Sequence, residues 1–236
     1  MAEGEYVLCV AAGEGWVAVA TSTNYLRIFT SWGIQREIIS LPGSSISMVG
    51  LRNRLFLVSH CAHPLPGQQN LVYHTLDMNF RNGLSSITGP LPLPLTPSCE
   101  LNWVGLTDKL LPVTTDSRGV VRMLANGGWY PICDMRDHLK GKSEAFWVTS
   151  VHQNYQHIRG IKCRGSTCPQ TIPKPSITTT PFQAPICSSG DQGLLEQKLA
   201  ASSLIRTGCE RDDDVTTQAL QEELECLMKL FALACR

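Results

Sequence analysis

From Glu5 to about Cys163 the chain consists of short apolar or alternating runs, each broken by Gly, Asn, Asp or Ser. Period-two alternation with closely spaced turn residues is the pattern of antiparallel β structure. The runs fall into groups of four. Residues 6–11, 16–21, 25–30 and 35–40 make the first group; 45–50, 54–59, 71–76 and, more weakly, 84–87 make the second. Residues 101–106, 110–115, 119–124 and 129–133 make the third, and a fourth opens with 146–151 and 158–163. The groups are alike inside as well. Thr21-Ser22-Thr23-Asn24-Tyr25-Leu26-Arg27-Ile28-Phe29 parallels Thr115-Asp116-Ser117-Arg118-Gly119-Val120-Val121-Arg122-Met123-Leu124 with one inserted residue. Each is a polar turn leading into an apolar strand that carries one arginine. Four-stranded units recurring every ~40–55 residues predict a β-propeller, with a β-sandwich as the alternative. Trp16, Trp129 and Trp147 stand among strand apolar residues and are expected to be buried.

The chemistry changes further along. Residues 169–185 hold five prolines among Thr and Ser, which predicts an extended connector or an edge segment. Residues 192–206 and 215–235 then read as helices, the second more strongly. In the second, Leu220, Leu224, Leu227 and Phe231 recur at three- and four-residue steps, and Met228, Leu230 and Leu233 widen the apolar area. Asp212, Asp213 and Asp214 precede it, where negative charge favours a helix N-terminus. The expected organisation is mainly β: a partial β-propeller of about four antiparallel four-stranded blades over 1–185, followed over 186–236 by the first helices of a helical bundle.

Twenty basic and twenty acidic residues cancel, so the chain lacks the basic excess of a protein living on phosphate contacts. The opening residues lack the basic-then-apolar pattern of a secretory signal, and no apolar run reaches the length of a membrane span. Of ten cysteines, Cys9, Cys133 and Cys226 sit in apolar segments, where the thiol acts as a small hydrophobe, and free thiols in a reducing compartment are expected.

Catalytic motifs are absent: there is no phosphate-cradling Walker pattern, His-Glu-x-x-His or Gly-x-Ser-x-Gly. His152, His157, Cys163 and Cys168 are the one metal-like grouping, yet a hairpin through them would separate the histidines from the cysteines. No metal or cofactor is therefore expected. Arg136, His138, Lys140 and Lys142 form a basic inter-strand loop that offers contact to nucleic acid or an acidic partner, with residues 162–164 as a second basic element.

Several segments combine into something more specific. Gly15-Trp16-Val17-Ala18-Val19-Ala20-Thr21-Ser22 leads to Leu26-Arg27-Ile28-Phe29, Gly33-Ile34-Gln35, Ser47-Met48-Val49-Gly50 and Gly89-Pro90-Leu91-Pro92-Leu93. Then come residues 116–124, Trp129-Tyr130-Pro131-Ile132-Cys133, Arg136, His138, Lys140-Gly141-Lys142-Ser143 and Trp147-Val148. In this order and spacing they resemble the SepB domain of the chromosome transmission fidelity family, whose vertebrate members are WD-repeat and HMG-box DNA-binding proteins. The resemblance covers nearly the whole chain and is most specific over 129–142, although Ser44 stands where the family often has proline.

The resemblance implies a non-enzymatic, nuclear replication-fork adaptor. Family members trimerise through this domain and connect the replicative helicase, through GINS, to DNA polymerase alpha by docking short peptides on the helical bundle. It also implies that the chain begins after the first blade or so of the domain and ends inside its helical region. The family's WD-repeat propeller and HMG box have no counterpart in these residues, which argues against direct DNA contact. Leu224, Met228 and Phe231 are the residues expected to carry partner binding, weakly because only two helices are at hand.

Overall fold

A computed structural model describes residues 3–63, 69–78, 85–141, 143–170, 172, 174–206 and 213–235. They form two compact units, Met1–Leu106 and Thr107–Arg236. Fifteen strands and two α-helices follow in order among the described residues.

The first unit holds β1 (Val7–Gly13), β2 (Trp16–Thr21), β3 (Tyr25–Thr30) and β4 (Gln35–Ser40), hydrogen-bonded as neighbours in chain order. A second sheet repeats the arrangement with β5 (Ser45–Leu51), β6 (Arg54–His60), β7 (Leu71–Asp77) and β8 (Ser86–Pro92). All pairings are antiparallel. The alternation seen in the sequence decides which side is buried. On β2, Trp16, Ala18 and Ala20 turn inward and join Leu26, Ile28, Leu55, Leu57 and Leu76 in one core.

Trp16 is fully buried in that core, and its indole nitrogen donates to the Arg52 carbonyl at 2.8 Å. Small residues let the sheets approach around it. A Cβ on Gly50 would stand 2.5 Å from the Ala12 carbonyl oxygen and 2.6 Å from the Trp16 ring. Glu37 on β4 ties the two sheets by accepting from the Ser85 backbone N–H (2.9 Å) and hydroxyl (2.8 Å).

The third group is β9 (Leu101–Leu106), β10 (Pro112–Asp116), β11 (Val120–Ala125) and β12 (Gly128–Asp134). The fourth is β13 (Glu144–His152), β14 (His157–Arg164) and β15 (Ile177–Pro181). Helices α1 (Gly190–Arg206) and α2 (Asp213–Ala234) complete the second unit. The architecture is thus a partial propeller: consecutive antiparallel blades, three of four strands and one of three, with helices at the end.

Several boundaries differ from expectation for identifiable reasons. The weak strand expected over 84–87 starts at a residue outside the described set, and β8 instead runs through Pro90 and Pro92. It lies at the edge of its sheet, where a missing N–H costs no ladder bond. Leu110 belongs to the turn before β10 because its φ of 65° is left-handed. Within the proline-rich connector, β15 is an edge strand on β14. The basic inter-strand loop contains one 3-10 turn, Met135–His138, capped by Asp134.

Trp129 and Trp147 are only half-buried, which corrects the expectation for them. Trp129 lies on an edge strand, and Trp147 faces away from the side where Phe146 and Val148 are buried.

The two parallel hairpins keep their arginine but not its partner. Arg27 on β3 makes two bonds to Glu5, at 2.9 and 2.8 Å. Arg122 on β11 bonds Asp116 at 2.6 Å, and Asp116 also accepts the backbone N–H groups of Arg118, Gly119 and Val120. Both carboxylates are buried, so each hairpin satisfies a buried charge with the arginine of its inner strand.

Candidate interaction surface

The fourth sheet carries the helices through one side chain. The turn joining β13 to β14 places Gln153 fully inside the second unit, where its amide nitrogen donates to the carbonyls of Leu204 (2.7 Å) and Ile205 (3.4 Å). Those carbonyls belong to the last turn of α1, which has no intrahelical donors for them. The Gln153 backbone N–H is held by Asp108 at 2.7 Å. At the middle of α1, the Gln197 amide bonds both backbone groups of Ala184, and Gln183 N–H donates to Ile132 at 2.7 Å. Helix α1 is therefore held at its last turn by the Gln153 side chain and at its middle by the connector backbone at Ala184.

Helix α2 lies on α1 by an unexpected face. Ala219, Glu223 and Cys226, four and three residues apart, are the buried side chains of its middle. Arg206 at the end of α1 pairs with Glu223 at 3.1 Å, and Ser202 donates to Glu222 at 3.4 Å. The apolar stripe faces outward: Leu224 is 53% exposed, Met228 65% and Phe231 73%, with Leu220 and Leu227 also exposed. Sequence reasoning grouped these side chains correctly on one side. It placed Cys226 in an apolar segment as a packing thiol, but it missed Ala219 and Glu223, which share its face, and it missed Gln153 altogether.

The basic loop is neutralised locally. Arg136 is exposed and bonds Asp134 through its side chain at 3.2 Å, and this hydrogen bond holds the guanidinium pKa above its usual value. Arg118 reaches the same carboxylate at 3.8 Å. His138 is half-buried and its carbonyl accepts from Lys162 at 3.0 Å. Lys140 has an exposed side chain, and its backbone N–H goes to Glu144 at 2.9 Å; Arg164 pairs with Glu144 at 3.4 Å. Lys142 lies outside the described residues.

The metal-like grouping does not converge. His152 and His157 face each other across the β13–β14 ladder, whereas Cys163 pairs with Ala145 at the far end. Six residues of strand separate His157 from Cys163, roughly 20 Å. Among the described residues no group of three or more His, Cys, Asp or Glu is placed to hold a metal ion. The nine described cysteines are free, and burial, with Asp134 and Asp137 nearby, pushes the Cys133 thiol up to about 12. Such a thiol stays protonated and serves packing. No described helix is long and apolar enough to cross a membrane.

Fold and surface together define a class: a propeller-type strand scaffold carrying a helix pair with an apolar outer face. The family described as "Minichromosome loss protein, Mcl1, middle region" matches residues 1–186. Human WD repeat and HMG-box DNA-binding protein 1 is 37% identical over 246 residues, covering 99% of this chain and 22% of that protein. Protein ENHANCER OF LHP1 1 of Arabidopsis thaliana is 32% identical over 99% of this chain and 26% of its own length. Minichromosome loss protein 1 of Schizosaccharomyces pombe is 22% identical over 99% of this chain and 31% of its own length. A crystal structure of HIRA(644-1017) overlaps 96% of this chain and 62% of that one, at 15% identity and a TM-score of 0.48. The chain belongs to the Mcl1 middle-region family, and it spans between a fifth and a third of the length of these curated relatives.

Proposed function

We propose that this chain works without catalysis as an adaptor segment at nuclear replication forks. In this reading it joins the replicative helicase, through GINS, to DNA polymerase alpha. Tethering by an oligomer, a homotrimer in the complete domain, raises the effective concentration of each partner near the other without new chemistry. The observation that carries the reading is the outward apolar stripe of α2, centred on Leu224, Met228 and Phe231. An amphipathic peptide helix lays its apolar face into such a surface. Membership of a family whose relatives are named for DNA binding and minichromosome loss supports a chromosomal setting.

The alternative, direct DNA contact through Arg136, His138 and Lys140, has less support. Arg136 and Arg118 already share Asp134, and Glu144 engages Arg164. Mixing the chain with purified GINS and the catalytic subunit of DNA polymerase alpha in sedimentation velocity tests the proposal. A species containing all three is the expected result. Binding of duplex DNA with a steep salt dependence, and of neither protein, would favour the alternative.

A further inference from the structure

The hairpin end that carries Gln153 also carries two histidines. His152 and His157 are cross-strand partners with ring centroids 5.0 Å apart, and only the turn 153–156 lies between them. That turn is the joint of the second unit. Gln153 caps α1, the Gln156 carbonyl accepts the Phe182 N–H at 2.8 Å, and Asn154, Tyr155 and Gln156 line a cleft of about 460 Å³ with Ile205, Gln218, Ala219 and Glu222. We propose that the His152–His157 pair is a pH-sensitive latch: with His157 neutral it closes the hairpin and holds α1 and α2 on the fourth sheet, and with His157 charged it opens the turn.

Positive charge on His157 is unfavourable beside the His152 ring and Arg159, and parting the last strand pair, which displaces Gln153, relieves it. The surrounding charges do not cancel it. On the hairpin, the Ser150 hydroxyl contacts His152 at 3.3 Å, Tyr155 stacks on His157 at 5.8 Å, and Arg159 adds positive charge. Asp108, from the turn before β10, is the carboxylate facing His157, but it also holds the Gln153 N–H. From α2, Glu222 shares the cleft with Tyr155 and Gln156; from α1, Lys198 lines a neighbouring cleft with Gln156. The balance lowers the His157 pKa, first through burial and then through the His152 charge.

The sign follows. A histidine whose pKa is lower when docked than when free favours the docked state at neutral pH. That advantage is lost as pH falls from the ordinary value of about 6.5 through the lowered one.

The test is hydrogen–deuterium exchange on the full chain at pH 7.5 and 5.5, with rates normalised to intrinsic exchange. The amides of 195–206 and 216–230 are expected to exchange severalfold faster at the lower pH. His152→Asn with His157→Asn should remove the dependence. Flat exchange in the parent chain would overturn the latch. So would unchanged pH dependence in the double variant, which would point to the Arg206–Glu223 pair instead. If the double variant fails to fold, histidine NMR on the parent and on His152→Asn decides: the His157 titration must move to higher pH once its neighbour is removed, and an unmoved titration contradicts the coupling.

Discussion

The strand groups and the helix pair treat apolar side chains in opposite ways. On β2 and β6, the large side chains Trp16, Phe56 and Leu57 are inside, and Gly13 on β1 and Gly50 on β5 let neighbouring sheets approach. On α2, Leu224, Met228 and Phe231 are outside, while Ala219, Glu223 and Cys226 make the contact with α1. A sheet of this kind uses its apolar residues to exist. The helix uses two small residues and an ion pair to be held, and keeps its large residues available. That division is what separates the scaffold from the proposed interaction surface.

Truncation experiments break or sharpen the contrast. Trp16→Ala should cost about 3–5 kcal/mol in urea unfolding, since a fully buried indole leaves a cavity and the Arg52 carbonyl keeps only its bond from the Glu14 N–H. A loss under about 1 kcal/mol would mean that the sheets do not share the core described. Next comes Asp116→Ala, which removes the buried carboxylate that Arg122 and the Arg118 and Val120 N–H groups bond, with an expected loss of about 3 kcal/mol. The parallel hairpin gives a control, because Glu5→Ala should fall in the same range through Arg27.

Gln153→Ala should have a smaller effect, about 1–2 kcal/mol, since it frees the α1 carbonyls while the sheets stay intact. Faster exchange confined to α1 and α2 is the expected signature, and uniform loosening of the whole unit would argue against a local joint. Smallest of all, Leu224→Ala, Met228→Ala and Phe231→Ala should each shift stability by less than about 0.5 kcal/mol. Losses of several kcal/mol there would show that the stripe is buried in solution.

The same contrast explains what the sequence made legible. Strands β2, β3, β4 and β9 lie where alternation and turn residues put them, because in a sheet the apolar face is the packed face. Periodicity in α2 identified the residues sharing a side, but it carries no information about which side a neighbour covers. Small residues and a buried Glu223 do not register as an apolar stripe, so the real contact was invisible. Gln153 was illegible for a related reason: a turn glutamine acquires meaning only when the helix end it caps is brought 51 positions back along the chain. The arginine in each parallel hairpin was visible, while its acid came from the segment before β1 in one and from the end of β10 in the other.

The central claim is that the outward stripe of α2 binds partners while the strands only support it. It is tested most directly by titrating labelled docking peptides from GINS and DNA polymerase alpha against the chain and against a Leu224→Ala, Met228→Ala, Phe231→Ala triple variant. The account predicts saturable binding by the parent chain and at least about a tenfold loss in the variant, the factor for 1.4 kcal/mol, with unfolding midpoints shifted only slightly. Equal affinities for the two proteins would place the contact elsewhere and contradict it.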